Sequence, residues 1–338
     1  MRYVLWNNKG GVGKSLLSFI LATEYAQKHQ DTNVVVIDMC PQGNVSQMLL
    51  GGVDSGSDVF FDLVEQNKTV LGYMLDRARS PYKTSGTELN YHVNVSKHNN
   101  AIPNNLYLVP SHPALDLMSD ILEQNATNKA VNDAWKLTYS WIADLQNAFI
   151  TFKGAKTVFF IDTNPSFSNY TKLAIMSADR LIVPCFADIG SMYALDNIMY
   201  LLYGAKQINL PFSNESLCEI ATKNEMIVPL IHMVIQGKAT RANQKQAKAF
   251  ANIGQKLDAK LEDLQQRYNG QVFCRSMHKI KQTLDDLNSV APIISQTGRI
   301  ISTLSANETP VVSDSTIKVS TDIKKYQDEV KFLIELLG

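Results

Sequence analysis

The segment Lys9-Gly10-Gly11-Val12-Gly13-Lys14-Ser15 limits what this chain can fold into more than any other. It is entered from the apolar run Arg2-Tyr3-Val4-Leu5-Trp6 and left through Leu16-Leu17-Ser18-Phe19-Ile20, where apolar residues resume at helical spacing. Such a sequence predicts a strand, a tight loop and a helix in immediate succession. Glycines without Cβ let consecutive backbone N–H groups close on anionic oxygens. The helix starting near Gly13 turns the positive end of its dipole toward the same charge. Lys14 adds a mobile cation for β- and γ-phosphates, and the Ser15 hydroxyl is placed to ligate Mg²⁺. Residues Gly10, Gly11, Val12, Gly13, Lys14, Ser15 and Leu16 are therefore expected to form a phosphate cradle.

Two further apolar runs end in carboxylates. Asn33-Val34-Val35-Val36-Ile37-Asp38 and Thr157-Val158-Phe159-Phe160-Ile161-Asp162 read as buried parallel strands. Each delivers its aspartate to the carboxyl edge of a sheet, beside the phosphates. Asp38, Asp162 and Ser15 are the candidate Mg²⁺ ligands.

The ordinary phosphate loop has a glycine five positions before Gly13, where this chain has Asn8, and Lys9 follows it. With that lysine, "KGGVGKS" resembles the deviant Walker A group, the relatives of ParA, MinD and the nitrogenase iron protein, and above all ParA. The resemblance implies that Lys9 reaches across a dimer interface to the partner's nucleotide. "DMCPQGNVSQMLLGG" is similar to the ParA switch segment, D-x-D-P-Q-x-N: Asp38, Pro41, Gln42 and Asn44 match, and Cys40 replaces the second aspartate. In the family that aspartate orients the attacking water. A thiol is a weak hydrogen-bond partner and carries charge only when its pKa is lowered. Slow hydrolysis is expected, or hydrolysis in which Gln42 or another group takes over the role. By the same resemblance Lys9, Lys14, Asp38 and Gln42 form the catalytic set.

"IDTNPSFS" resembles the family's D-T/C-P-P-S-x-S with Asn164 for the first proline, which makes Asp162 a Walker B aspartate holding Mg²⁺ through its water shell. "NLYLVPSHPALDLMSDIL", "SADRLIVPCFADIGSMYALDNI" and "IVPLIHMVI" are similar to later family segments. "NETPVV" resembles the nucleotide-base loop, which implies that Pro310 and Val311 touch adenine. The implied fold is α/β, a doubly wound, mostly parallel sheet with helices on both faces. It is expected as one P-loop ATPase domain over residues 1–338, with a surface insertion at 76–105 and a basic helical region at 237–281.

The chain carries 32 basic and 32 acidic residues, so any nucleic-acid surface must come from local clustering. Lys238, Arg241, Lys245 and Lys248 fall three or four apart, on one helical face. Between Gly237 and Lys281 ten Lys/Arg stand against three acids. With Arg275 and Lys279 these are candidate contacts to a DNA backbone, with no base reading implied. A solvated helix face is the alternative. Cys40, Cys185, Cys218 and Cys274 never form a CxxC, which gives no support to an Fe–S site and favours a reduced cytoplasmic chain. The first strand begins almost at Met1, and no apolar run approaches membrane-spanning length, so neither signal peptide nor membrane span is expected. His112 reads as a surface histidine at a helix start, and Trp135 and Trp141 as core residues of one amphipathic helix over 130–149. Ser320 to Leu337 reads as a closing helix docked on the core. Its "KFLIELL" end invites comparison with the MinD membrane helix, but Asp328, Glu329 and Glu335 dilute the cationic face that lipid favours.

The resemblance implies an ATP-dependent dimerisation switch. ATP and Mg²⁺ join two subunits, the homodimer binds double-stranded DNA without sequence preference, and a ParB-like or other adaptor protein stimulates hydrolysis. The setting is DNA partition or cargo positioning, cytoplasmic and nucleoid-associated in the ATP-bound state. With no DNA-reading extension before the first strand, an autorepressor role is not expected. The rival readings are a MinD-like membrane-associated positioning ATPase, a metabolic P-loop enzyme of the ligase or reductase kind, and a weakly hydrolysing ATP-sensing scaffold in which Cys40 marks the loss of turnover.

Overall fold

The computed structural model describes residues 1–153, 156–186, 188–204, 215–238, 244–285, 287 and 289–337. Eight strands form one sheet: β1 (Arg2–Leu5), β2 (Asn33–Met39), β3 (Val93–Asn94), β4 (Leu106–Val109), β5 (Thr157–Thr163), β6 (Arg180–Phe186), β7 (Leu230–Lys238) and β8 (Lys281–Asp285). Their order is β3-β4-β2-β5-β1-β6-β7-β8. Every neighbouring pair is parallel except β3 with β4.

The strand residues alternate between two cores, one on each face of the sheet. Val4, Val35, Ile37, Phe159, Ile161, Leu181 and Val183 face helices that include Val70–Arg79, Trp141–Lys153, Asn169–Met176 and Ile189–Tyr203. Tyr3, Leu5, Val34, Val36, Val158, Phe160 and Ile182 face Lys14–Lys28, Asn44–Leu49, Val290–Thr297 and Ile323–Leu337. Burial on both faces is why the central strands read as near-continuous apolar runs. The last of these helices puts Ile323, Tyr326, Val330, Leu333, Ile334 and Leu337 into the core. Among the described residues no helix is long and apolar enough to cross a membrane.

Register fixes the functional edge. Asp38 lies opposite Asp162 on β2 and β5, and Leu5 lies opposite Asp162 on β1 and β5. The loop after β1 and both carboxylates therefore share the carboxyl edge of three adjacent central strands. Open α/β sheets place their ligands at that edge.

The structure departs from the sequence reading in three places. The surface insertion expected at 76–105 is not a free loop: it supplies edge strand β3 and buries Glu88, Tyr91, Val95, Asn99 and Ile102. Residues Lys281–Asp285 form edge strand β8, with alternate residues buried, where the sequence offered no apolar run. The helix expected over 130–149 is two, Ala134–Tyr139 and Trp141–Lys153, although Trp141 is fully buried as foreseen.

One glycine near the site is required by packing. The start of helix Gly52–Glu65 approaches helix Val290–Thr297 closely. Gly52 has φ +85°, and a Cβ there would sit 2.0 Å from the Gln296 carbonyl oxygen. Only glycine meets both demands.

Candidate nucleotide site

The loop between β1 and helix Lys14–Lys28 is held from both sides. The Asn7 side chain, fully buried, donates to the Pro184 carbonyl at 2.7 Å and accepts from the Lys9 N–H at 2.9 Å. Thr163 Oγ1 donates to the Leu5 carbonyl at 2.6 Å. Gly11 and Gly13 have φ of +71° and +78°, and a Cβ at either would meet nothing, so the space above them is open. Positive φ turns the loop amides outward, the geometry an anion needs. Gly10 to Leu16 line a cleft of about 470 Å³ together with Thr163 and Pro165. Its other wall is the segment after β2, with Cys40, Gln42, Asn44 and Gln47, closed at the far end by Met48, Val53 and Ser295.

Lys14 is buried and folds back on its own loop, donating to the carbonyls of Asn7 at 3.3 Å and Lys9 at 3.1 Å. Burial lowers its pKa, a cost a bound phosphate offsets. Asp162 accepts from Ser15 Oγ and from Ser18 Oγ, both at 2.7 Å. A hydroxyl and a carboxylate together beside a phosphate cradle fit Mg²⁺, which keeps several waters and takes one or two protein oxygens. Among the described residues no cluster of three or more His, Cys, Asp or Glu suits a softer metal.

Asp38 is turned elsewhere. Oδ1 accepts from the Cys40 N–H at 2.9 Å, and Oδ2 accepts from the Ser46 N–H at 3.1 Å and Ser46 Oγ at 2.6 Å. Like Asp162, it is fully buried and does not itself line the cleft. In the nucleotide-free chain Asp38 thus anchors the switch segment, whereas Asp162 bonds Ser15 on the phosphate loop. Burial raises the pKa of both aspartates, and for Asp38 the facing Asp162 raises it further. Cys40 is 5% exposed and reaches the cleft. Burial, then Asp38 and Asp162, push its thiol up to about 12, so it stands there as a neutral group.

Lys9 does not line its own cleft, and its amine is paired with Asp188 of the same chain. Two other expectations are redrawn. Pro310 and Val311 do not line the cleft either, because Val311–Val312 forms a small hairpin with Ser315–Thr316 and Ser295 closes the cleft instead. Along the backbone the described basic positions do not all fall at one edge of the sheet. Lys238 ends β7 at the carboxyl edge, whereas Arg275 and Lys279 precede β8 at the amino edge. Between them helix Gln244–Arg267, 24 residues and about 36 Å long, runs back across the sheet. Its first ten residues, with Lys245 and Lys248, precede Gly254, which lies level with Gln236 near the end of β7. Arg241 lies outside the described residues, as do the side chains of Lys238, Lys245 and Lys248. His112 accepts from the Ala114 N–H at 3.0 Å, a helix-start role, with its pKa lowered by burial. Sequence reasoning missed Asn7, Gln47, Ser295 and Asp188. Only Asn7 left a signal, a polar side chain directly after a buried strand.

A description of AAA domains, the AAA_31 family, matches residues 2–218, well over half of the chain. The chain belongs to this family, the ParA-like P-loop ATPases. An uncharacterised protein of Methanocaldococcus jannaschii, MJECL24, is 28% identical over 196 residues. The match covers 57% of this chain and spans 62% of that relative's length. McdA from Cyanothece is similar in fold across the whole chain. Its apo structure has TM-score 0.59 at 16% identity, covering 100% of this chain and 99% of McdA. The ATP complex of an aspartate-to-alanine variant of McdA has TM-score 0.57 at 14% identity, covering 100% and 96%. pNOB8 ParA bound to nonspecific DNA has TM-score 0.50 at 12% identity, covering 99% and 98%. At these identities the structural likenesses show the fold. The ParA-like family thus accounts for the phosphate loop, the switch segment and the sheet order together.

Proposed function

We propose that this ParA-like protein is an ATP-driven dimerisation switch whose ATP-bound dimer holds DNA without reading its sequence, in DNA partition or cargo positioning. The observation that carries the reading is the pair of lysines on one phosphate loop: Lys14 folded inside it, and Lys9 at its rim with its amine turned outward from the cleft. One lysine suffices to bind a nucleotide in cis. The second has a use when another subunit's phosphates come within reach. The ATP complex of the McdA variant and the DNA complex of pNOB8 ParA support the same reading by fold.

In this reading the loop amides and Lys14 hold the β- and γ-phosphates. Ser15 and Asp162 would hold Mg²⁺, whose charge would offset that of the phosphates. The switch residues Gln42, Asn44 and Gln47 face the same cleft and sense the γ-phosphate. Cys40 offers the attacking water no carboxylate, so hydrolysis is slow until an adaptor protein assists it. The basic start of helix Gln244–Arg267 lies at the nucleotide edge and is the DNA surface that a nucleotide-joined dimer doubles. Arg275 and Lys279, at the opposite edge, are not part of it.

The test is retention of duplex DNA of arbitrary sequence with ATP, with ADP and without nucleotide, over a salt series. Binding should appear with ATP alone and fall steeply with salt. Replacing Lys245 and Lys248 by alanine should flatten the log–log slope by roughly 0.9 for each phosphate no longer neutralised, whereas replacing Arg275 and Lys279 should leave it unchanged. DNA ignored in every nucleotide state contradicts the reading.

A further inference from the structure

The Lys9 amine donates to Asp188, 179 residues away, rather than standing free in solvent. Asp188 is itself fixed. Its other oxygen accepts from the Ser191 N–H at 2.7 Å and so caps helix Ile189–Tyr203. Ser191 is buried and its hydroxyl accepts from the Phe186 N–H at 3.0 Å, tying the cap to the end of β6. The space beside the ion pair is shaped to it: a Cβ on Gly190 would come within 3.1 Å of the Lys9 amine nitrogen. Around this contact the chain exposes Phe186, Ile189 and Tyr193, by 43%, 57% and 68%. A charged contact ringed by exposed apolar side chains, continuous with the phosphate loop, is a surface arranged for another surface.

We propose that Asp188 is an internal substitute for phosphate: it holds Lys9 in cis while the subunit is alone, and a second copy of this chain docks on the Phe186–Tyr193 face only as Lys9 leaves Asp188 for that copy's nucleotide. The proposal deepens the dimerisation switch above and rests on it. Carboxylate and phosphate offer the same ammonium a pair of anionic oxygens, and the flexible lysine stem lets it pass from one to the other. An isolated subunit thus carries its own competitor. Self-association waits for a partner whose nucleotide presents a terminal γ-phosphate to Lys9, which an empty or product-bound site lacks. Asp188 sets how strictly the dimer depends on ATP.

Asp188→Asn removes the charge and keeps a capping oxygen, since asparagine caps as well as aspartate. Asp188→Ser does the same with a different side chain. The association constant of each is read by sedimentation at several protein concentrations, without nucleotide, with Mg-ADP and with Mg-AMPPNP. A partly exposed pair is worth roughly a twofold to fivefold shift, and a dimer opens two of them. Both variants should therefore dimerise about tenfold more tightly than the wild type with AMPPNP, and should begin to associate with ADP. In a Lys9→Ala background the same substitutions should have no effect. If the wild type dimerises with AMPPNP but the variants match it or fall below it, Asp188 is only a helix cap and the proposal fails. A wild type that remains monomeric in every nucleotide state removes the dimerisation reading itself, and the latch with it.

Discussion

Replacing Cys40 by aspartate raises the rate of ATP hydrolysis by about 10²-fold, the lower end of what a positioned acid–base group contributes. The side chain at 40 reaches the cleft next to Gln42 and Asn44, whereas Asp38 spends both oxygens on Cys40 and Ser46 and cannot turn to a water without releasing the switch segment. With its thiol pushed up to about 12, Cys40 neither accepts a strong hydrogen bond nor takes a proton. A carboxylate at the same position does both. The gain should appear in kcat with little change in KM, because the group acts on the water and not on the nucleotide. It carries a cost in stability, since a third carboxylate joins two already buried, so Cys40→Asp should melt below the wild type until Mg-ATP is added. Phosphate release by the two proteins decides the matter. An unchanged kcat means that Gln42 or Gln47 already positions the water and that the thiol is neutral to catalysis.

Asp162→Asn should separate stability from function. Both buried carboxyls have folded pKa values above the unfolded value of 3.8, so the folded chain holds more protons than the unfolded chain as pH rises from there. Stability therefore falls as pH increases through that window, with the full penalty present once both groups are charged in the folded state. Removing one charge relieves the repulsion. Of the two hydroxyls that donate to Asp162, from Ser15 and Ser18, one keeps a carbonyl oxygen to donate to and the other can rotate to accept from the new NH₂. The nucleotide-free variant should gain roughly 1–3 kcal/mol near neutral pH, and its melting temperature should decline less between pH 5 and 8 than that of the wild type. Thermal melts over that range, repeated with Mg-ATP, check both halves: the wild type should be stabilised by Mg-ATP and the variant hardly at all. A variant less stable than the wild type at pH 7.5 would show that the Asp162 charge is compensated by Lys14 in the free protein.

What the sequence made legible follows from burial. β1, β2, β5 and β6 are apolar on both faces, and a run such as Val34-Val35-Val36-Ile37 leaves little else to propose. The phosphate loop could be read because its chemistry is local: glycines, Lys14 and Ser15 lie within a few residues of each other. The edges were not legible. β8 reads Lys-Gln-Thr-Leu-Asp because one side of an edge strand faces solvent, and β3 is two residues long. Contacts between distant segments were also hidden. Nothing near Lys9 announces Asp188, and nothing in the Thr309–Val312 turn tells that Ser295 will reach the cleft first. Asp38 sits where its strand predicted, at the carboxyl edge opposite Asp162. Its direction was set by Ser46, eight residues further on, which no strand pattern encodes.

The central claim is that the loop from Gly10 to Leu16 holds a Mg-nucleotide, and calorimetric titration of ATP with and without Mg²⁺ tests it directly. The wild type should bind one ATP per chain with a dissociation constant on the order of micromolar, near −8 kcal/mol. Chelating Mg²⁺ should weaken binding, and Lys14→Met, which removes the cation inside the loop, should weaken it by about 10²- to 10³-fold, the cost of removing one partner of a buried charged pair. Saturable ATP binding that survives Lys14→Met unchanged, or no binding by the wild type at all, contradicts the claim.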